Sequence, residues 1–206
     1  MRLIDISHPI SPATPVYAGD NPISLIKRKC IEDDMYNAYE LATTLHTGTH
    51  ADAPMHITRD PRWIGDFSLE HFAGNGVLLD VRGEEQIGMK PKYAELIRPQ
   101  DVVLLYTGYD AHFGEPEYFT HHPMMTQEFA EFLAERKIKM LGMDIPSPDR
   151  RPFEVHKCLM RADIIILENL TNLYQLEGIS SFEVYAPPLR LTAEASLVRA
   201  FCRVDM

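Results

Sequence analysis

The sequence predicts an α/β or α+β domain built around a mixed sheet. Three observations carry this. The first third is strand-rich, with apolar and β-branched residues at Ile23 to Ile31 and Tyr39 to His46. The middle and second half alternate strand-like with helix-like segments. Asp163-Ile-Ile-Ile-Leu-Glu168 is a continuous apolar run, the pattern of a strand covered on both faces. At 206 residues the chain makes one domain, 1–206, with enough length to bury a core.

In order, residues 2–7 alternate as a strand, and Pro9, Pro12 and Pro15 enforce a loop. Residues 16–22 read as a turn, and 32–37 as the polar connection between the two early strands. Ser68 caps a short helix reaching about Ala73, and Gly76 to Val81 is a strand. Lys90 to Ile97 is a short helix, and Asp101 to Tyr106 a buried strand. Residues 107–125 lack a clean period and hold aromatics with His112, His121 and His122, as in a lid or a partner-contacting loop. Thr126 caps an amphipathic helix to about Lys137, with Phe129, Phe132 and Leu133 on one face. Ile138 to Met143 is a strand ending at Asp144, and a proline-rich turn opens a helix from about Phe153 to Arg161. Phe182 to Tyr185 and Ala195 to Val204 read as two further strands.

Composition narrows the function. Hydrophobic residues make up 45% and charged residues 24%, ordinary for a globular protein. The net charge of −10 argues against nucleic-acid or anionic-membrane partners, which need a basic face. No run approaches the ~18 apolar residues of a membrane span. Cys30, Cys158 and Cys202 are sparse, odd in number and without CxxC pairing, as expected in a reducing compartment. The N-terminus has no apolar signal region, so a cytoplasmic protein is expected.

The chemistry concentrates in His46-Thr-Gly-Thr-His50-Ala-Asp52-Ala-Pro-Met-His56. Its three histidines and one aspartate all fall on even positions. In an extended backbone alternate side chains share a face, whereas Gly48 and Pro54 argue against a helix. Imidazoles and a carboxylate on one face form a nitrogen/oxygen nest for a divalent metal. One extended segment seldom completes a metal shell, so further ligands should come from other elements. His156, in the helix after the proline-rich turn, and Glu168, ending an apolar strand, are the candidates. Taken alone, His156 also reads as a surface histidine and Glu168 as a capping acid.

The same segment resembles the signature of the cyclase-like metal hydrolases, the family of bacterial kynurenine formamidase, with the pattern H-x-G-T-H-x-D-x-P-x-H. The likeness runs through Asp5-Ile-Ser7, Gly19-Asp20, Asp144-x-Pro-Ser-Pro-Asp149, His156 and Glu168-Asn-Leu. It implies a swivelling β/β/α fold and two divalent ions per subunit, zinc foremost with manganese or iron as alternatives. It further implies His46, His50 and Asp52 on the first ion, Asp52 bridging to a second held by His156 and Glu168, and His56 left free as catalytic acid/base. A homodimer or higher homo-oligomer and a small-molecule substrate are also implied. The expected reaction is hydrolysis of a small amide, with N-formylkynurenine or a similar N-formyl aryl amine first and opening of a cyclic amide such as isatin as the alternative. Ile57, Ala18 and Tyr17 depart from the formamidase pattern at positions expected to border the substrate.

Other residues carry weaker expectations. Asp144 reads as a support for the site or a cap for the next turn. His121 and His122 read as a lid contact, and His8, His71 and His112 as solvated or structural. Tyr17, Trp63 and Phe113 are candidates for stacking on an aromatic substrate. Two rival functions remain: a one-metal, non-haem iron oxygenase using two His and one carboxylate, and a non-catalytic metal- or ligand-binding protein on the same scaffold.

Overall fold

The computed structural model describes residues 1–204. Its strands are β1 (Arg2–Asp5), β2 (Ser24–Lys29), β3 (Ala38–Ala42), β4 (His50–Asp52), β5 (Ala73–Asp80), β6 (Gln86–Ile87), β7 (Val102–Tyr106), β8 (Met124–Met125), β9 (Met140–Met143), β10 (Ile165–Glu168), β11 (Glu183–Tyr185), β12 (Ala195–Leu197) and β13 (Phe201–Val204). The α-helices are α1 (Ile31–Asp34), α2 (Tyr93–Leu96), α3 (Gln127–Arg136) and α4 (Glu154–Arg161). Among the described residues, nine strands form one sheet in the order β1-β13-β11-β5-β7-β9-β10-β4-β12. The central β5, β7, β9 and β10 are parallel, and both flanks are antiparallel, so the sheet is mixed as expected.

The sheet curls. Ser7, just past β1, bridges Leu170, just past β10, although those strands lie far apart in the sheet order. Residues from both ends of the order, Ile4, Ala51, Leu167 and Val184, accordingly share one core inside the curl. On β7, Val102 and Leu104 point into that core, while Val103 and Leu105 meet Phe129 and Leu133 of α3 and Val155 and Leu159 of α4. Burial on both faces explains why β7 and β10 read as unbroken apolar runs. The Thr126 hydroxyl caps α3 by accepting from the Phe129 amide at 3.3 Å.

Five expectations need correction. The helix expected from a Ser68 cap to about Ala73 is a 3-10 turn, Leu69–Phe72, without a Ser68 side-chain cap, and Ala73 already begins β5. The strand expected at Tyr39 to His46 stops at Ala42 and pairs only with β2, in a two-stranded ribbon apart from the main sheet. The polar connection after β2 contains the one-turn helix α1, closed by Met35 at φ 67°. Ala195 to Val204 is two strands. β12 pairs with β4, and β13 lies between β1 and β11 at the other end of the order. The crossing residues serve both places, since the Val198 amide donates to the Thr49 carbonyl and the Ile6 amide to the Ala200 carbonyl. Finally, the histidine segment is extended only over His50–Asp52. No helix among the described residues is long and apolar enough to cross a membrane.

Candidate metal centre

Strand register builds the floor of the site. β4 runs antiparallel to β10 with His50 opposite Glu168 and Asp52 opposite Ile166. Opposed residues share a face, so His50, Asp52 and Glu168 stand together on the helix side while Ala51 and Ala53 enter the core inside the curl. The other two histidines of the segment arrive differently. His46 comes from the turn before β4, where Gly48 sits at φ 59° and a Cβ would fall 2.6 Å from Ile10 Cδ1. His56 ends a 3-10 turn, Pro54–His56. The four side chains therefore converge through a turn, a strand and a 3-10 turn rather than along one extended face. His156 enters from α4.

Hydrogen bonds define which ring nitrogens face inward. His50 Nδ1 lies 2.8 Å from the Gly48 carbonyl, which can only accept, so Nδ1 carries the proton. Its Nε2 is then turned toward Asp52 Oδ1 and Glu168 Oε2, each at 3.4 Å. His156 is held at Nδ1 by Asp149 at 2.5 Å, leaving Nε2 3.3 Å from Glu168 Oε1. His46 lies 2.9 Å from Asp52 Oδ1 through Nδ1 and 3.3 Å from Glu194 Oε1 through Nε2.

Three buried atoms here have no hydrogen-bond partner: His50 Nε2, Asp52 Oδ1 and Glu168 Oε1. The His46 contact to Asp52 is too poorly aligned to satisfy that oxygen. Orphaned buried groups are costly, and lone pairs facing carboxylates need a cation between them. His46, His50 and Asp52 form one group whose ligand atoms all lie within 4.8 Å of one another, and Asp52, His156 and Glu168 form a second. The nitrogen and oxygen donors suit a divalent cation, and Asp52 is common to both groups.

The electrostatics agree with that reading. Burial alone would lower His46, but Asp52, Glu168 and Glu194 raise it to about 9. His156 is likewise raised to about 10 against burial by Asp149 and Glu168. Asp52 lies below its ordinary value, because His50 and His46 outweigh the burial that would raise it. His56 differs: burial pulls it down, and Asp52 only partly compensates.

A cleft of ≈ 700 Å³ opens over this cluster, with His46, His56, His156 and Glu168 in its lining. Tyr17 lines it as expected, in an edge-on contact with Phe119 at 5.7 Å. Trp63 and Phe113 do not line it, and Phe113 instead stacks on His8 at 3.7 Å. Neither Ala18 nor Ile57 lines it, the latter being packed against the helix-side core. From the irregular 107–125 segment, Phe119, Thr120 and His122 form part of the wall, whereas His121 does not. Asp144 is not the expected cap of the turn that follows it: it accepts from the Thr107 and Gly108 amides, in the turn after β7.

Sequence reasoning named Asp149 only within the resemblance, without a role, and passed over Glu194, Phe119 and Phe153. Asp149 had a signal in its place seven residues before His156, across a turn. Glu194 is an ordinary acid until β12 is paired with β4.

Comparison with known proteins adds the family context. The Cyclase family model matches residues 4–150. Kynurenine formamidase from Bacillus cereus is 32% identical over 205 residues, covering 97% of this chain and 96% of the relative. That of Bacillus anthracis is 32% identical over 207 residues, covering 98% and 97%. Among solved structures, isatin hydrolase A from Labrenzia aggregata superposes with a TM-score of 0.88 at 22% identity, covering 100% of this chain and 94% of that one. A potential metal-dependent hydrolase with cyclase activity gives a TM-score of 0.80 at 24% identity, covering 100% and 98%. At these identities the structural likenesses speak to the fold.

Proposed function

Because this chain belongs to the Cyclase family, we propose that it is a metal-dependent hydrolase of a small amide, with arylformamidase-type action on N-formylkynurenine or a similar N-formyl aryl amine. The observation that carries the reading is the convergence of three orphaned buried atoms on two ligand groups that share Asp52. His46, His50 and Asp52 would hold one divalent cation. Asp52, His156 and Glu168 would hold a second.

Bound there, such cations supply Lewis acidity to the amide carbonyl and acidify water. The chain's own residues do the rest. His56 faces the cleft with its ring centroid 4.2 Å from that of His46, and it makes no side-chain hydrogen bond among the described residues. Held below its ordinary pKa by burial, it starts neutral and accepts a proton from the attacking water. As imidazolium it returns that proton to the departing nitrogen, so that amide and water become formate and a free amine. Tyr17, Phe119 and Phe153 offer apolar walls for an aromatic leaving group.

Elemental analysis followed by assays on N-formyl aryl amines, isatin and small lactones tests this. About two ions per chain are expected, as in two-metal clamps; one ion with oxygen-dependent turnover would point to the oxygenase instead. His56→Ala should retain its metal and lose about 10²- to 10⁴-fold in kcat. Full turnover in His56→Ala would sink its role. An inert wild type across the panel would favour a binding protein.

A further inference from the structure

The cleft's cations are unmatched, and this bears on substrate class within the hydrolase reading above. Arg150 and Arg151 stand together in the turn leading into α4 and line the cleft, on the ridge between it and a second hollow of ≈ 380 Å³. Arg150 Nη2 donates to the Thr120 carbonyl at 2.5 Å, which ties it to the opposite wall. The Arg151 side chain makes no hydrogen bond or ion pair among the described residues.

The chain carries a net charge of −10, and some of its arginines are matched by acids while others, Arg151 among them, are not. Arg28, Arg62, Arg82 and Arg199 each pair with an acid. The acids that line the cleft are otherwise engaged. Asp149 holds His156, Glu168 belongs to the metal cluster, and Asp20 accepts from the Thr44 hydroxyl at 3.5 Å. A guanidinium beside aromatic walls, with no carboxylate of its own, suits a ligand that brings one. We propose that Arg151, flanked by Arg150, recognises a carboxylate on the substrate, so that the preferred substrate is an aromatic amide bearing an acid group rather than a neutral ring.

The test compares N-formylaniline with the three ring-carboxylated N-formylaminobenzoates, using the metal-loaded wild type, Arg151→Gln and Arg190→Gln. Arg190 is exposed and outside the cleft, and controls for bulk charge. The wild type should favour at least one acid in kcat/KM, and added salt should shrink that preference. Arg151→Gln should cut the acid-to-neutral ratio by about tenfold, the scale of a charge-assisted hydrogen bond, and Arg190→Gln should leave it in place. Equal kcat/KM for acid and neutral substrates in the wild type, or an unchanged ratio in Arg151→Gln, overturns the proposal while leaving amide hydrolysis intact. Calorimetric binding of the aminobenzoates to metal-stripped protein separates the two claims. Arg151-dependent binding without any hydrolysis would uphold the carboxylate site and remove the hydrolase reading.

Discussion

His50 and His156 each commit one ring nitrogen to a protein acceptor and turn the other toward Glu168. Such outer partners orient the ring and raise its basicity. Asp149→Asn should therefore weaken metal affinity by about 10- to 100-fold in a chelator competition; unchanged affinity would show that Asp149 serves only the Val155 amide it also accepts from. The raised histidines carry a second consequence. Without metal, His46 at about 9 and His156 at about 10 hold protons that an unfolded chain releases near 6.5. The stability they contribute to the metal-free protein is complete below 6.5 and is lost as pH rises through 9 to 10. Near pH 7 a cation must displace them, and His50 is raised as well, so loading should release protons from these ligands and affinity should fall as pH falls. Calorimetry in buffers of different ionisation enthalpy measures this, and a release of zero would contradict it. At this scale residue type and spacing singled out His46, His50 and Asp52, whereas His156, which taken alone also reads as a surface histidine, was drawn in by the family resemblance. Asp149 and Glu194 were opaque because an aspartate or glutamate reveals its partner only in three dimensions.

At the scale of elements, β4 shows why the histidine segment was half legible. Alternation places His50 and Asp52 on one face, but three residues of strand are too few to carry His46 and His56 with them. The turn at Gly48 does that work for His46, and it has no room. Gly48→Ala would put a Cβ 2.6 Å from Ile10 Cδ1 at a positive φ. A loss of about 1–3 kcal/mol is expected from overpacking, together with reduced metal content, read by urea denaturation and elemental analysis. A fully metallated, equally stable Gly48→Ala would mean that the turn adapts. Periodicity succeeded for α3, where Thr126 and the Phe129/Leu133 face are local signals. It failed at Ala195 to Val204, where neither Gly nor Pro marks the crossing from β12 to β13. That crossing depends on the curl of the sheet, which no local pattern reports.

Across the whole molecule, the curl brings together segments that are remote in the chain, and Tyr118 tests how far the site depends on this. Tyr118 is fully buried, and its hydroxyl donates to Asn169 Oδ1 at 3.0 Å. Asn169 Nδ2 in turn donates to the Gly48 carbonyl at 3.1 Å, the same oxygen that accepts from His50 Nδ1. The wall segment, the end of β10 and the turn before β4 thus meet in one chain of hydrogen bonds. Tyr118→Phe keeps the ring against Tyr109 and Phe119 but strands Asn169 Oδ1 in a buried place. That should cost about 1–3 kcal/mol. If the wall merely packs, denaturation of metal-loaded and metal-stripped protein should reveal the same loss. If it positions His50, the loaded protein should lose more, because a weaker metal affinity also removes stabilisation of the native state by mass action. We expect the larger loss in the loaded form, with a matching rise in the metal dissociation constant; equal losses and an unchanged dissociation constant would confine Tyr118 to local packing.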